Sequence, residues 1–163
     1  MQPEAAYTIT LSDSAADIRI CAQMMAKSDP WITLGMEINL CLQAFEGDYR
    51  EVYLLKHQQE ILGFMILQVK GSFKGYIQTL CIAEKHRGKQ LGTLLLSFAE
   101  KQVLKYSPNI FICVSAFNTN AIRLYTRYGF EQVGVLKNFV AAGYDELLLR
   151  KTAGPILGYH GKQ

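Results

Sequence analysis

The sequence predicts an α/β (α+β) fold with a mixed, mainly antiparallel central sheet flanked by helices. The chain has 163 residues, half of them apolar, which suits one buried core and leaves little room for a second. Strand-like runs follow one another at hairpin spacing between residues 52 and 82. Helical and strand-like segments then alternate up to residue 150, which is typical of a sheet covered by helices.

Two helices are predicted before the first of these strands. Ser12 or Ser14 can cap a helix that runs to about Lys27 and ends at the Ser-Asp-Pro sequence of residues 28–30. Its apolar residues recur at helical spacing and are Ile18, Cys21, Ala22 and Met25. The second helix ends at residues 47–48 and has a similar apolar stripe, formed by Ile38, Cys41, Leu42 and Phe45.

Three strands are predicted next, at residues 52–56, 61–69 and 76–82, because β-branched and aromatic residues are frequent there. Short polar or glycine-containing turns separate them, which indicates an antiparallel meander. A helix follows and ends at the Ser-Pro-Asn sequence of residues 107–109. Its predicted buried face consists of Leu91, Leu94, Leu95 and Phe98.

The remaining elements are a strand at residues 110–115 and a short helix at residues 118–128. Gly129 is placed to end this helix as a left-handed C-cap. Two last strands are predicted near residues 132–137 and 144–150. Together with the meander they make up the predicted mixed sheet.

A single domain is expected to span residues 1–152. Residues 153–163 contain several glycines and a proline with no clear period, so we expect a loosely structured tail. The formal net charge of +3 is small, and basic residues cluster only between residues 85 and 89. A nucleic-acid-binding protein would carry a denser basic face, so no nucleic-acid partner is predicted. The local cluster suits a small polyanion.

The four cysteines, Cys21, Cys41, Cys81 and Cys113, lie far apart in apolar surroundings. No Cys-x-x-Cys pair or histidine at metal-ligand spacing accompanies them, so neither disulfides nor a metal site is predicted. A reducing cytoplasm is the expected location. No export signal or membrane span is predicted, because the apolar runs are too short. The oligomeric state stays open, with a homodimer among the alternatives.

A basic, glycine-containing turn leads directly into an apolar helix at residues 86–96, His-Arg-Gly-Lys-Gln-Leu-Gly-Thr-Leu-Leu-Leu. The N-terminus of a helix presents unpaired backbone N–H groups and the positive end of the helix dipole, and both favour an anion. The turn also follows the strand at residues 76–82, and open α/β sheets bind ligands at the carboxyl ends of strands. We therefore predict a phosphate-binding turn.

Two blocks of the sequence resemble the GCN5-related N-acetyltransferase (GNAT) family. The family's strand followed by (Arg/Gln)-x-x-Gly-x-(Gly/Ala) is matched by residues 80–92, and its Asn before Leu-Tyr-x-x-x-Gly-Phe is matched by Asn118 and residues 124–130. The spacing between the blocks also fits, so that the resemblance covers residues 52–150. It implies acetyl-coenzyme A (acetyl-CoA) as donor and direct attack by a primary amine.

The resemblance also implies roles for particular residues. The backbone of Leu80, Cys81 and Ile82 would pair with the pantetheine arm and polarise the thioester carbonyl. Asn118 would bond to the coenzyme, and Tyr125 would protonate the departing thiolate as general acid. The pyrophosphate would be held by the backbone N–H groups of Arg87, Gly88, Lys89, Gln90, Leu91, Gly92 and Thr93.

One position of the turn departs from the family pattern. Gln90 stands where the family usually has its middle glycine. A Cβ atom disfavours positive φ and hinders close approach of the backbone to phosphate. If residue 90 has helical geometry, the replacement costs little.

The general base is the residue that the resemblance does not supply. Relatives that acetylate protein N-termini carry a glutamate five residues before the asparagine, and here that position is Cys113. Residues 76–79 offer no carboxylate. Glu37 on the second helix and a water relay from Tyr76 or Ser115 are the alternatives that stay open.

Trp31 and Glu37 are the candidates for contact with the acceptor amine. A Pro-Trp sequence at this place also occurs in ribosomal-protein N-terminal acetyltransferases, although Trp31 could equally be a hydrophobic plug between helices. The predicted function is acetylation of a small-molecule amine. The alternatives are a ribosomal-protein-type N-terminal acetyltransferase and a CoA-binding regulatory module that has lost catalysis.

Overall fold

The computed structural model describes residues 6–163, which form a seven-stranded sheet with helices on both faces. In chain order its helices and strands are β1 (Tyr7–Leu11), α1 (Ala15–Ala26), α2 (Ile38–Gln43), β2 (Arg50–His57), β3 (Glu60–Gln68), β4 (Tyr76–Ile82), α3 (Leu91–Val103), β5 (Asn109–Ser115), α4 (Thr119–Tyr128), β6 (Glu131–Leu136) and β7 (Glu146–Thr152). The strand order is β1-β2-β3-β4-β5-β7-β6, and only β4 and β5 are parallel. The predicted fold class is confirmed.

Two details of the sequence prediction were wrong. No strand was predicted before α1, yet Tyr7–Leu11 forms β1 and pairs with β2 at the edge of the sheet. Four of its five residues are exposed, so this strand has little apolar signal. Leu94 was placed on the buried face of α3, but it is 38% exposed. The helix buries Leu96 and Ala99 instead.

The core contains a large cluster on each face of the sheet and a smaller third cluster at the start of α3. On one face, α3 and α4 pack against residues that include Met65, Ile77 and Ile112. On the other face, α1 and α2 pack against residues that include Phe64 and Ile66. Alternate residues of a strand point to opposite faces, which explains how neighbours in β3 belong to different clusters.

A β-bulge at Gln78 changes the face to which the side chains of β4 point. The register between β3 and β4 shifts at this residue, so that Gln78 has no partner on β3. Ile77 packs on the face of α3 and α4, whereas Cys81, four residues later, packs on the face of α1 and α2. In a regular strand these two side chains would share a face.

Strands β4 and β5 separate after two residue pairs. Their parallel ladder contains only Tyr76 opposite Phe111 and Ile77 opposite Ile112. Strand β5 instead pairs with β7 along its whole length, from Asn109 to Ser115. The sheet therefore opens at the carboxyl end of β4, and the remainder of β4 has no strand neighbour on that side.

The C-terminal residues 153–163 contain no helix or strand, but they are attached to the domain. The backbone N–H of Ala153 donates to the carbonyl of Pro108, and the N–H of Lys162 donates to that of Leu104, each at 2.8 Å. The Tyr159 hydroxyl also bonds to the Leu104 carbonyl. These bonds satisfy carbonyls that follow the end of α3 and attach the segment to the domain.

Two searches of residues 6–163 gave negative results. No helix among these residues is long and apolar enough to cross a membrane. Nor does this part of the chain bring three or more histidine, cysteine or acidic side chains together as metal ligands.

The start of the β4–β5 ladder depends on Gly75. Its φ is +91°, and an added Cβ would lie 2.5 Å from the Asn109 carbonyl oxygen and 2.7 Å from a methyl carbon of Val103. We expect Gly75→Ala to lower the free energy of unfolding by roughly 2–4 kcal/mol, measured by denaturant titration.

Gly71→Ala is the matched control, because Gly71 has a φ of +88° but nothing within 4 Å of an added Cβ. It should cost only about 1–2 kcal/mol, for the positive φ. Equal losses in the two variants would show that the close approach at Gly75 has no effect.

Candidate active site

Two cavities meet at the opening between β4 and β5. The outer cavity, about 780 Å³, lies between residues 86–93 and α4. The inner cavity, about 340 Å³, extends along the face of the sheet that carries α1 and α2. The residues that line both cavities are Pro30, Trp31, Leu80, Asn118 and Tyr125. A molecule that fills both would pass these five residues.

The turn at residues 86–93 presents backbone donors to the outer cavity. Among the described residues, no backbone carbonyl accepts a hydrogen bond from the N–H groups of residues 88–93. The N–H of Arg87, which was predicted to contact phosphate, instead donates to the Glu84 carbonyl at 3.2 Å. Six successive free N–H groups at the start of α3 therefore fit an anion such as pyrophosphate.

Gln90 has a left-handed backbone with φ of +59°, and it is the N-cap of α3. Residue 90 is therefore not helical, so the condition under which glutamine would cost little is not met. A left-handed backbone is less favourable for glutamine than for glycine, because glutamine has a Cβ atom. Gly92 faces away from the turn, since its added Cβ would lie 3.0 Å from the Leu124 side chain on α4. The small size of Gly92 thus lets α3 and α4 approach each other.

The basic residues around the turn do not act as one cluster. Glu60 binds both Lys85 and His86, at 2.5 and 3.0 Å. Hydrogen bonds from these two residues lower the pKa of Glu60 to about 2, because they favour its ionised form. Arg87 lines the outer cavity, and Arg127 of α4 adds a second cation there that the sequence analysis missed.

Asn118 and Tyr125 both reach the junction of the cavities from α4. The Oδ1 of Asn118 accepts a hydrogen bond from the Ala121 N–H at 3.3 Å and caps the helix, which leaves its side-chain NH₂ group as a donor. Tyr125 is only 6% exposed. Burial raises the pKa of its hydroxyl above the ordinary value, so the group stays protonated at neutral pH.

A buried carboxylate that the sequence analysis missed, Glu146, lines the inner cavity. Glu146 is 5% exposed, and its Oε1 accepts a hydrogen bond from the Ser115 hydroxyl at 2.6 Å. Burial raises the pKa of Glu146, while the hydrogen bond opposes this shift. In the sequence it is the second of two adjacent acids, Asp145 and Glu146, at the start of an apolar strand. Only the pairing of β7 with β5, which places it opposite Ser115, brings it to the cavity.

Tyr76 and Cys113 lie beside Glu146 in the same cavity. Burial is the main cause that raises the pKa of the Cys113 thiol, and the nearby Glu146 adds to it. A thiol in this environment is protonated and a poor nucleophile. Burial likewise raises the pKa of the Tyr76 hydroxyl. The arrangement therefore provides one carboxylate that can accept a proton, surrounded by neutral groups.

The two residues predicted to contact the acceptor lie in different places. Trp31 lines both cavities from the segment between α1 and α2. Glu37 is exposed at the N-terminus of α2 and lines neither cavity. The structure thus brings Trp31 to the junction and leaves Glu37 outside it.

Comparison with known proteins identifies the family of this chain. The model of the Acetyltransferase (GNAT) family matches residues 17–130, which is more than half of the chain. The chain therefore belongs to the GNAT acetyltransferase family. It is an acyltransferase, and acetyl-CoA is its acetyl donor.

Individual relatives are distant. An N-alpha-acetyltransferase of Sulfolobus acidocaldarius is 27% identical over 154 residues, 86% of this chain and 87% of the relative. An N-alpha-acetyltransferase of Sulfurisphaera tokodaii is 26% identical over 103 residues. This match covers 55% of this chain and only 62% of that relative. The structure of a GNAT family acetyltransferase from Elizabethkingia anophelis, solved with acetyl-CoA bound, matches with a TM-score of 0.70 at 23% identity. The match covers 91% of this chain and 99% of that protein's chain. This last similarity confirms the fold.

Because the pKa of Glu146 is raised in the folded protein, the free energy of unfolding should depend on pH. A carboxyl whose pKa is higher in the folded than in the unfolded state lowers the stability of the protein as pH rises. The native protein must then hold a buried negative charge. Glutamine at position 146 does not titrate. We therefore expect Glu146→Gln to gain stability relative to the wild type as the pH is raised from about 5 to about 8, measured by thermal unfolding.

Glu131→Gln is the control, since Glu131 is exposed on β6. It should show no such gain over this pH interval. A stability difference for Glu146→Gln that does not change with pH would mean that Glu146 titrates alike in the folded and unfolded states.

Proposed function

We propose that this enzyme transfers the acetyl group to a primary amine of a small molecule held in the inner cavity. The observation that carries the proposal is the junction of the two cavities at Trp31, Asn118 and Tyr125. The outer cavity has the anion donors that the coenzyme needs. The inner cavity has a volume typical of a small-molecule site.

The chain's own residues would hold the donor along the outer cavity. The free N–H groups of residues 88–93 and the Arg87 side chain would bind the pyrophosphate. The unpaired edge of β4 at residues 80–82 would hydrogen-bond the pantetheine arm as an added strand does. An N–H of this edge would also stabilise negative charge on the thioester oxygen.

Two side chains that line the inner cavity would move the protons. Acetyl-CoA, when bound, supplies a thioester whose carbonyl carbon the amine attacks and whose sulfur departs as a thiolate. Glu146, directly or through water, would take a proton from the amine as the new N–C bond forms. Tyr125 would donate its proton to the sulfur as the C–S bond breaks. The raised pKa of Glu146 makes it a stronger base, and Tyr125 carries the proton that it would donate.

A second candidate acceptor is a protein N-terminus, which the names of the archaeal relatives support. Position 113 counts against it, because Cys113 replaces the glutamate found in relatives that act on N-termini. A regulatory module without catalysis is also less favoured. Such a module would have no need to keep a buried carboxylate and Tyr125 in one cavity.

Tyr125→Phe tests the acid role, because it removes the hydroxyl and little volume. We expect kcat to fall by about 100-fold, while acetyl-CoA affinity stays unchanged, measured by calorimetry. Tyr49→Phe is the control, since Tyr49 is 60% exposed and lines neither cavity. An unchanged kcat for Tyr125→Phe with chemistry rate-limiting would exclude the acid role.

The acceptor class is tested by following CoA release with polyamines, amino acids, aminoglycosides and peptides that have free N-termini. Acetylation of a small amine with the highest kcat/KM supports the proposal. Highest kcat/KM for a peptide N-terminus would favour the second candidate. Binding of acetyl-CoA without transfer to any amine would favour the regulatory module.

A further inference from the structure

The inner cavity contains two groups of opposite charge that are not paired with each other. Arg50 of β2 and Glu146 of β7 both line it. The ion pairs among the described residues join Lys85, His86 and Lys151 to other carboxylates, and none includes Arg50 or Glu146. A cavity with an unpaired guanidinium and a buried carboxylate is complementary to a ligand that carries both charges.

From this arrangement we infer that the acceptor is an amine that also bears a carboxylate, with several bonds between the two groups. The inference rests on the proposed function and names its substrate class. The amine would lie on the side of Glu146 and Tyr125 within the inner cavity. The carboxylate would bind Arg50 at the other end of the inner cavity.

The position of Arg50 is fixed by the bulge of β4. The Nε of Arg50 donates to the Oε1 of Gln78 at 2.6 Å, and Gln68 donates to the same oxygen at 3.1 Å. The side-chain NH₂ group of Gln78 donates in turn to the Ala44 carbonyl at 2.8 Å. One edge of the guanidinium is thereby held, and the remaining N–H groups of its planar fork are donors suited to a carboxylate.

The sheet geometry sets the separation of the two charges. The guanidinium of Arg50 lies beside β4, because it bonds to Gln78 of that strand. Glu146 belongs to β7, and β5 lies between β4 and β7. Two strand spacings of a continuous sheet correspond to about 10 Å, and the separation is at least this large here because β4 and β5 part after Ile77. In an α-amino acid the amino and carboxylate groups are attached to the same carbon, so the molecule is too short to contact both Arg50 and Glu146. An extended ω-amino acid has the required length.

The walls between the two charges are largely apolar and aromatic. Met25, Leu34 and Met36 contribute from the side of α1 and α2, and Phe139 and Val140 contribute from the segment between β6 and β7. These surfaces suit a methylene chain, and they offer no third charge. The cavity therefore selects by its charged ends and by length.

A series of ω-amino acids of increasing length tests the inference. We would measure kcat/KM, and binding to the CoA-saturated enzyme by calorimetry, for glycine, 4-aminobutanoate and 6-aminohexanoate. The uncharged analogues 6-aminohexanamide and hexylamine serve as comparisons. The wild type should prefer 6-aminohexanoate to its amide by about tenfold or more, because the carboxylate gains charge-assisted hydrogen bonds. Glycine should be the weakest of the three acids.

Arg50→Gln should remove the preference for the acid over the amide while acetyl-CoA binding is kept, and Arg50→Lys should restore part of it. Arg19→Gln is the control, because Arg19 is exposed on α1 and lines neither cavity. It should retain the full preference. A loss of rate for acid and amide alike in Arg50→Gln would assign Arg50 a structural role and overturn the inference.

The failures of the two proposals are distinguishable. If hexylamine and 6-aminohexanoate are acetylated equally well, the proposed function stands and the inference is wrong. If 6-aminohexanoate binds through Arg50 but no amine is acetylated, the proposed function is wrong, and the inference holds only for the class of ligand that the cavity binds. Preference for a peptide N-terminus, unaffected by Arg50→Gln, would also overturn the inference.

Discussion

The separation of β4 from β5 after two residue pairs is the constraint on which the rest of the site depends. A continuous sheet keeps its two faces apart. Here the opening lets Tyr125, which packs with α3 and α4, line the same space as Trp31 from the opposite face. The short ladder begins where the Gly75 carbonyl accepts a hydrogen bond from the Phe111 N–H at 3.0 Å, so that a residue without a Cβ lies at the start of the paired segment.

The opening also places polar groups where water is scarce, and this determines their protonation. Burial raises the pKa of both Tyr125 and Glu146, but the consequences differ. The tyrosine is held as a proton donor, and the carboxylate becomes a stronger base at the expense of stability at high pH. The same burial keeps the Cys113 thiol protonated. The site thus obtains an acid and a base from groups with very different ordinary pKa values.

Features coded by local sequence could be predicted, whereas features that depend on strand pairing could not. The phosphate-binding turn and the segment carrying Asn118 and Tyr125 are contiguous motifs; the turn lines the outer cavity, and Asn118 and Tyr125 lie at the cavity junction. Glu146 becomes visible only through its pairing opposite Ser115. The bulge at Gln78 and the left-handed Gln90 are backbone conformations set by tertiary context, which periodicity does not record.

Amide hydrogen exchange with and without CoA tests the central claim most directly, namely that the opened edge of β4 and the start of α3 hold the donor. Binding should slow exchange at the N–H groups of residues 88–93 and at those of residues 80–82 that face β5, because these donors lack a partner in the free protein. Binding of CoA with exchange unchanged in both segments would contradict it.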